Sequence, residues 1–204
     1  MLQKVLKEAT NTKHTQLEAL MHVDKIMYGT LTPEEYRQIL TINYTVHQVL
    51  EAPLFLALSP AVAAAIHLTK RHKLPALIKD MEEAGVAVTT DFITSLLFEK
   101  GNDAYNLGAL YVLEGATLGG HVINKRLRQN SYLQSLNMGY HYYGLYGEGL
   151  MQQWQLFCDV INQQPVENTE MAIRGANDVF DQYIAVYNNL VAANYWPSVS
   201  NKMD

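Results

Sequence analysis

A chain of 204 residues suits one domain with an ample core, and no linker-like stretch divides it, so a single domain over 1–204 is expected. Hydrophobic residues make up 49% and charged residues 17%, a soluble globular balance, and the net charge of −5 argues against a general nucleic-acid binder. The single cysteine, Cys158, excludes an intrachain disulfide and a cysteine-rich metal site, and its apolar helical surroundings read as a buried, inert thiol.

The N-terminal stretch from Met1 to Glu8 is charged early and lacks the apolar core of a secretory signal, so a cytoplasmic location is expected. Residues 2–22 read as one helix with Val5, Leu6, Ala9, Leu17, Leu20 and Met21 on the apolar side. His14 stands on it among polar neighbours, bracketed by Lys13 and Glu18, where a lone histidine is ordinarily a surface residue. Thr32, Pro33 and Glu35 predict a helix start, with Thr32 as cap, Pro33 in the first turn and Glu35 completing a capping box. A long helix should follow through Tyr36, Ile39, Leu40, Val46, Val49 and Leu50, with Pro53 kinking or ending it.

Ser59 and Pro60 begin a short alanine-rich helix reaching about Leu68, and Lys70, Arg71, His72 and Lys73 read as a solvated basic turn. Leu74 and Pro75 begin another helix that Gly85 stops. Val86 to Asp91 reads as a loop despite its β-branched residues, leading into a helix near Phe92–Phe98 that ends at Gly101.

From Leu107 to Leu127 the apolar residues Leu107, Leu110, Tyr111, Leu113, Leu118, Val122 and Ile123 recur at helical spacing, and Asn102 or Asp103 could cap the helix. It nevertheless carries Gly108, Gly115, Gly119 and Gly120, which together give up roughly 3–4 kcal/mol against alanine. Bare backbone is needed there: Gly115-x-x-x-Gly119 could make a close helix–helix crossing, or Gly115, Gly119 and Gly120, on or beside one face, could let a flat partner touch the main chain and let the helix bend. Glu114, His121, Lys125 and Arg126 exclude a membrane span, and the glycine spacing fits no phosphate loop. Asn130 to Gly149 is irregular and rich in tyrosine and glycine. Helices are predicted over 150–163, with Trp154, Phe157 and Val160 inward, and over 169–193, with Met171, Ile173, Val179, Phe180, Tyr183, Ile184 and Tyr187 inward. The whole reads as an all-α bundle.

The run Leu110-Tyr-Val-Leu-Glu-Gly-Ala-Thr-Leu-Gly-Gly-His-Val122 resembles the distal-helix signature of haem oxygenases, particularly the bacterial ones. The likeness extends over most of the chain: a first-helix histidine, the aromatic segment through Trp154 and Phe157, and a closing helix with Phe180 fall in the family's order. The resemblance implies a single-domain haem oxygenase-like helical bundle with a kinked glycine-rich distal helix. It implies an enzyme that cleaves haem to biliverdin with release of iron and carbon monoxide, using O2 and electrons from an external reductant such as a ferredoxin or flavin reductase. Haem is then both substrate and cofactor.

Carried over residue by residue, His14 becomes the iron ligand, Glu18 its orienting carboxylate and Lys13 a partner for the haem carboxylates. Gly115, Gly119 and Gly120 form the opposite wall, and Phe180 lines the pocket. One position departs from the pattern. Many family members carry an aspartate after the first distal glycine, ordering a water, and here that position is Ala116. Thr117, His121 or backbone carbonyls are the candidates to order the water instead. The later helix likewise offers Gln152 and Gln155 where a basic residue would be wanted.

Two other classes stay open at this point. A haem carrier or sensor would use the same pocket without turnover. A di-metal carboxylate oxidase could draw on Glu18 with His22 and His47 with Glu51, although the Glu-x-x-His pairs of that class are absent. A thiaminase-like enzyme would want a nucleophilic cysteine, for which Cys158 has the wrong surroundings.

Overall fold

The computed structural model describes residues 1–87 and 102–195, and among them every regular element is helical. The helix expected near Phe92–Phe98, with its stop at Gly101, lies outside the described residues. The first helix is divided: α1 spans Leu2–Ala9 and α2 spans Asn11–Leu20. At the break, the buried Thr10 hydroxyl donates to the Leu6 carbonyl at 2.7 Å, a back-bond that competes with the helix ladder and bends it. His22 adopts φ 52°, and α3 (Val23–Tyr28) leads to Gly29 at φ 70°.

The start of α4 (Pro33–Ala57) is the expected capping box: Thr32 Oγ1 accepts from the Glu35 amide at 3.3 Å, and Glu35 Oε2 accepts from the Thr32 amide at 3.0 Å. Pro53 does not end this helix, which continues to Ala57. The proline falls in the last turns, where few backbone bonds remain to be lost, and the burial of Leu54 and Ala57 beyond it holds the chain helical. The helix is buried far beyond its predicted stripe, taking in Asn43, Thr45, His47 and Glu51, because α6 (Leu74–Glu83), α7 (Asp103–Leu118) and α10 (Thr169–Ala192) all pack on it. Between α4 and α6 lies the short α5 (Pro60–Ala65), and Gly85, at φ 67°, follows α6 as expected.

Of the two candidate caps for α7, Asn102 is the one used, its side chain accepting from the Tyr105 amide at 3.1 Å. Asp103 instead accepts from the Ser59 amide at 2.8 Å and its hydroxyl at 2.6 Å, fastening the start of α5. Beyond α7 come α8 (Gly120–Gln129), an irregular tyrosine-rich stretch, and α9 (Leu150–Asn162). Antiparallel α10 runs against α7 at very close range. A Cβ on Gly108 would lie 1.9 Å from the Ala172 carbonyl oxygen, and one on Gly175 would lie 2.0 Å from that of Tyr105, so both must be glycine.

The basic run after α5 is not the solvated turn expected of it. Arg71 and Lys73 are 0% and 1% exposed, both drawn inward by Glu114 of α7, while His72 stays on the surface. A charge run shows its solvation in the sequence only when no buried acid awaits it elsewhere in the chain.

Candidate active site

The glycine-rich helix bends where it was expected to. Helix α7 closes at Leu118, Gly119 takes φ −70° and ψ −6°, and α8 restarts at Gly120. Its four glycines serve different ends. Gly108 is consumed by the crossing with α10, and a Cβ on Gly120 would come within 2.6 Å of the Tyr143 carbonyl oxygen. Gly115 would meet nothing within 4 Å among the described residues, and Gly119 only the tip of Ile123 at 3.5 Å, an ordinary contact. Among the described residues, neither glycine is required by packing. Leu118 and Val122 share their face at helical spacing, and Val122 is 50% exposed, so an apolar strip with bare backbone along it stands open.

Helix α2 is the other partly clothed element. None of its residues is buried, although buried residues flank it on both sides. It packs on α10, as α7 does, while α3 packs on α8, so α10 is a common floor for the histidine helix and the glycine helix. His14 is largely exposed, and its Nδ1 lies 3.5 Å from Glu18 Oε2 one turn on. A carboxylate beside Nδ1 is a common way of orienting an imidazole that ligates metal through Nε2. The ring stands edge-on to buried Phe180 of α10, with centroids 6.2 Å apart and planes at 76°.

The model of the heme oxygenase family matches residues 1–189. The chain belongs to the haem oxygenase family. In architecture it is similar to a haem oxygenase from Neisseria meningitidis, with 22% identity, a TM-score of 0.73 and 100% of this chain covered against 98% of that one. A haem oxygenase from Leptospira interrogans follows at 19% identity and TM-score 0.72, covering 93% and 99% of the two chains. Haem oxygenase-1 from the cyanobacterium Synechocystis, solved with haem, has 16% identity, a TM-score of 0.68 and coverage of 94% and 93%. No sequence relative matches among curated proteins.

Haem oxygenases bind haem, and the residues present fit that group. A disc needs bare backbone on one side and a nitrogen ligand on the other, and Gly115, Gly119 and His14 offer these with no competing role in the packing. Three residues grouped with them from the sequence are placed elsewhere. Thr117 is buried, its hydroxyl donating to the Glu114 carbonyl at 2.9 Å, and His121 lines a cavity with it on the far side of the helix. Two positions along a helix are about 200° apart, so Thr117 cannot share the face of Gly115. Gly120 turns to the Tyr143 main chain. Lys13 is already occupied, its ammonium 2.6 Å from Asp181 Oδ2. Such a surface pair is worth about 0–1 kcal/mol, so an incoming carboxylate can replace the aspartate.

Sequence reasoning passed over the group that anchors the glycine helix from behind. Glu114, the residue before Gly115, is 2% exposed and receives Arg71 Nη1 at 2.5 Å, the Lys73 ammonium, and the Tyr146 hydroxyl at 2.9 Å. Burial pushes its carboxyl pKa up, but the charges of Lys73 and Arg71 outweigh burial and hold it below the ordinary value. A second buried set adjoins it: His47 Nδ1 lies 3.1 Å from Glu51 Oε2 and its Nε2 3.3 Å from the Tyr142 hydroxyl. Burial lowers the His47 pKa despite the Glu51 hydrogen bond, keeping the ring neutral. An acid in the apolar register of a helix was the available signal, though it could not name its partners.

The competing chemistries find no such support. His47 and Glu51 are committed to these internal bonds, and Glu18 stands on the surface beside His14. Among the described residues one set has metal-binding spacing, Asp80, Glu83 and His141, but its carboxylates already hold the backbone amides of Gly139, His141 and Tyr142. Cys158 is buried as expected, and burial raises its thiol pKa to about 11, which is no nucleophile.

Proposed function

We propose that this protein is a cytoplasmic haem oxygenase that opens haem to biliverdin, releasing iron and carbon monoxide. The observation that carries the reading is the pairing of an open strip, Gly115, Leu118, Gly119 and Val122, with an exposed His14 whose Nδ1 meets Glu18, both elements resting on α10. When bound, haem supplies the iron at which O2 is reduced and is itself the carbon framework cleaved, with electrons from a ferredoxin or flavin reductase.

The chain's own residues do the rest. His14 would hold the iron through Nε2, and Glu18 would keep the ring oriented through Nδ1. Gly115 and Gly119 would let main chain approach the disc without adding bulk. Leu118 and Val122 keep bulk water from that side, and Phe180 supports the imidazole from below. Lys13 is positioned to exchange Asp181 for a carboxylate of the ligand. Ala116 has no side-chain group to hold a proton-donating water, so backbone carbonyls of the glycine-rich helix would take that role.

The same missing carboxylate favours one second reading, a haem carrier without turnover. Adding haemin to the purified chain and then a reductant in air separates the two. A Soret band that decays into broad red absorbance supports the oxygenase, a Soret band that persists supports the carrier, and no Soret band overturns both.

A further inference from the structure

The face of α8 turned away from the open strip borders a half-open cavity of about 580 Å³, inside the range of about 300–1,000 Å³ typical of small-molecule sites. One wall is α8, with His121, Asn124, Lys125 and Arg128, and the other is the segment carrying Tyr143 and Tyr146. Among the described residues no carboxylate lines it, although the chain as a whole carries a net charge of −5. Lys125 and His121 have no hydrogen-bond or ion-pair partner among the described residues. Arg128 is fixed in place but not neutralised: Nε donates to Asn124 Oδ1 at 2.6 Å, Nη2 donates to the Gly139 carbonyl at 2.5 Å, and the guanidinium lies over the Tyr140 ring at 5.5 Å. The cavity therefore joins uncompensated positive charge to a wall that includes the half-buried Tyr146, a combination that attracts an anion and gives a flat ring one aromatic neighbour.

We propose that this cavity is a second binding site, for an aromatic carboxylate, whose ring would pack on the half-buried Tyr146 while its acid group meets Lys125 and Arg128. The geometry separates it from the haem face, since Thr117, which lines it, lies about 200° around the helix from Gly115. Its ligand is thus additional to haem and does not depend on His14.

Equilibrium dialysis of 2-naphthoate against the full chain tests this, with and without saturating haemin. One site is expected, with affinity falling as salt rises and unchanged by haemin or by His14→Ala. Lys125→Glu, and replacement of the probe by uncharged 2-naphthamide, should each weaken binding roughly tenfold, the loss of one charge-assisted contact. Lys125 is exposed, and Lys125→Gln with an intermediate affinity would show that charge rather than misfolding is responsible. The proposal is overturned if 2-naphthoate does not bind, if haemin displaces it, or if the amide and both Lys125 variants bind as well as the original pair. Failure of haemin to give a Soret band would sink the haem reading while leaving the naphthoate result to stand alone.

Discussion

Two halves of one glycine-rich run use the same residue to opposite purpose. In the N-terminal half, Gly108 lets α10 come so close that a Cβ would sit 1.9 Å from a carbonyl oxygen. In the C-terminal half, among the described residues, a Cβ on Gly115 would meet nothing and one on Gly119 only an ordinary contact with Ile123. The close crossing expected of Gly115 and Gly119 falls instead at Gly108, while Gly115 and Gly119 present backbone that the described residues leave uncovered. Glycine content alone marks a need for bare backbone, and the surroundings of each position decide what the need is.

Substitution at the two ends sharpens the contrast, beginning with the largest effect. Gly108→Ala drives a methyl into main chain that cannot swing away, so stability in urea should fall by about 3 kcal/mol or more, at the upper end of overpacking penalties. Gly115→Ala should instead gain up to about 1 kcal/mol from helix propensity. Equal losses at the two positions would break the comparison, because they would mean that both halves are packed.

The anchor behind the open half comes next. Glu114→Gln leaves Arg71 and Lys73 buried without a full counter-charge, and breaking a buried pair in this way costs about 3–5 kcal/mol. The pH dependence has a definite sign. Glu114 has a folded pKa below its ordinary value, so its stabilisation is complete above the ordinary carboxyl range and disappears as pH falls through the lower folded value. His47 acts in the same direction at higher pH: its folded pKa is depressed, so stability begins to fall as pH drops below about 6.5. Melting curves from neutral to acid pH should decline in two stages, and Glu114→Gln should diminish the lower one, to which Glu35, Glu51 and Glu83, with pKa values also below the ordinary one, contribute the rest. A single decline unchanged by the substitution would show that Glu114 is not held ionised.

What was legible in the sequence followed the range of the interaction that fixes it. The Thr32 capping box, the stop at Gly85 and the last helix could be read because each is decided within a few residues. The open strip was readable for a second reason, since the glycine signature and the histidine before it are a family pattern. The burial of Arg71 and Lys73 was not, because their acid lies some forty positions away on another helix and nothing local distinguishes a buried cation from a solvated one. Thr117 and His121 were misplaced for a simpler cause. Their phase around the helix already set them apart from Gly115, and nearness in the motif was weighed above rotation.

Gly119→Leu probes the open half with a smaller expected effect on the fold. The position has φ −70°, which any residue adopts, and its Cβ would make only an ordinary contact with Ile123. Leucine there should leave the haem-free chain as stable or up to about 1 kcal/mol more stable. Its branched side chain would fill the space over the strip, so haem affinity or turnover should be lost. Unfolding of the variant would instead place packed structure against Gly119, and full activity would remove the strip from the site.

The smallest effect on the fold and the largest on function should coincide at His14. Its side chain is 58% exposed and makes one longer ion pair with Glu18 and an edge contact with Phe180. A surface substitution of this kind changes stability by no more than about 0.5 kcal/mol, so the melting temperature of His14→Ala without haem should match the parent chain. With haem, the Soret band should shift and ring opening should cease, because no other exposed imidazole stands on α2 to replace the ligand. Free imidazole is small enough to occupy the space vacated beside Phe180, and partial recovery of the spectrum on adding it would identify the lost group as a ligand rather than a packing element. An unaltered spectrum in the variant would move the ligand off α2 and, with it, the reason that helix is left without a buried residue.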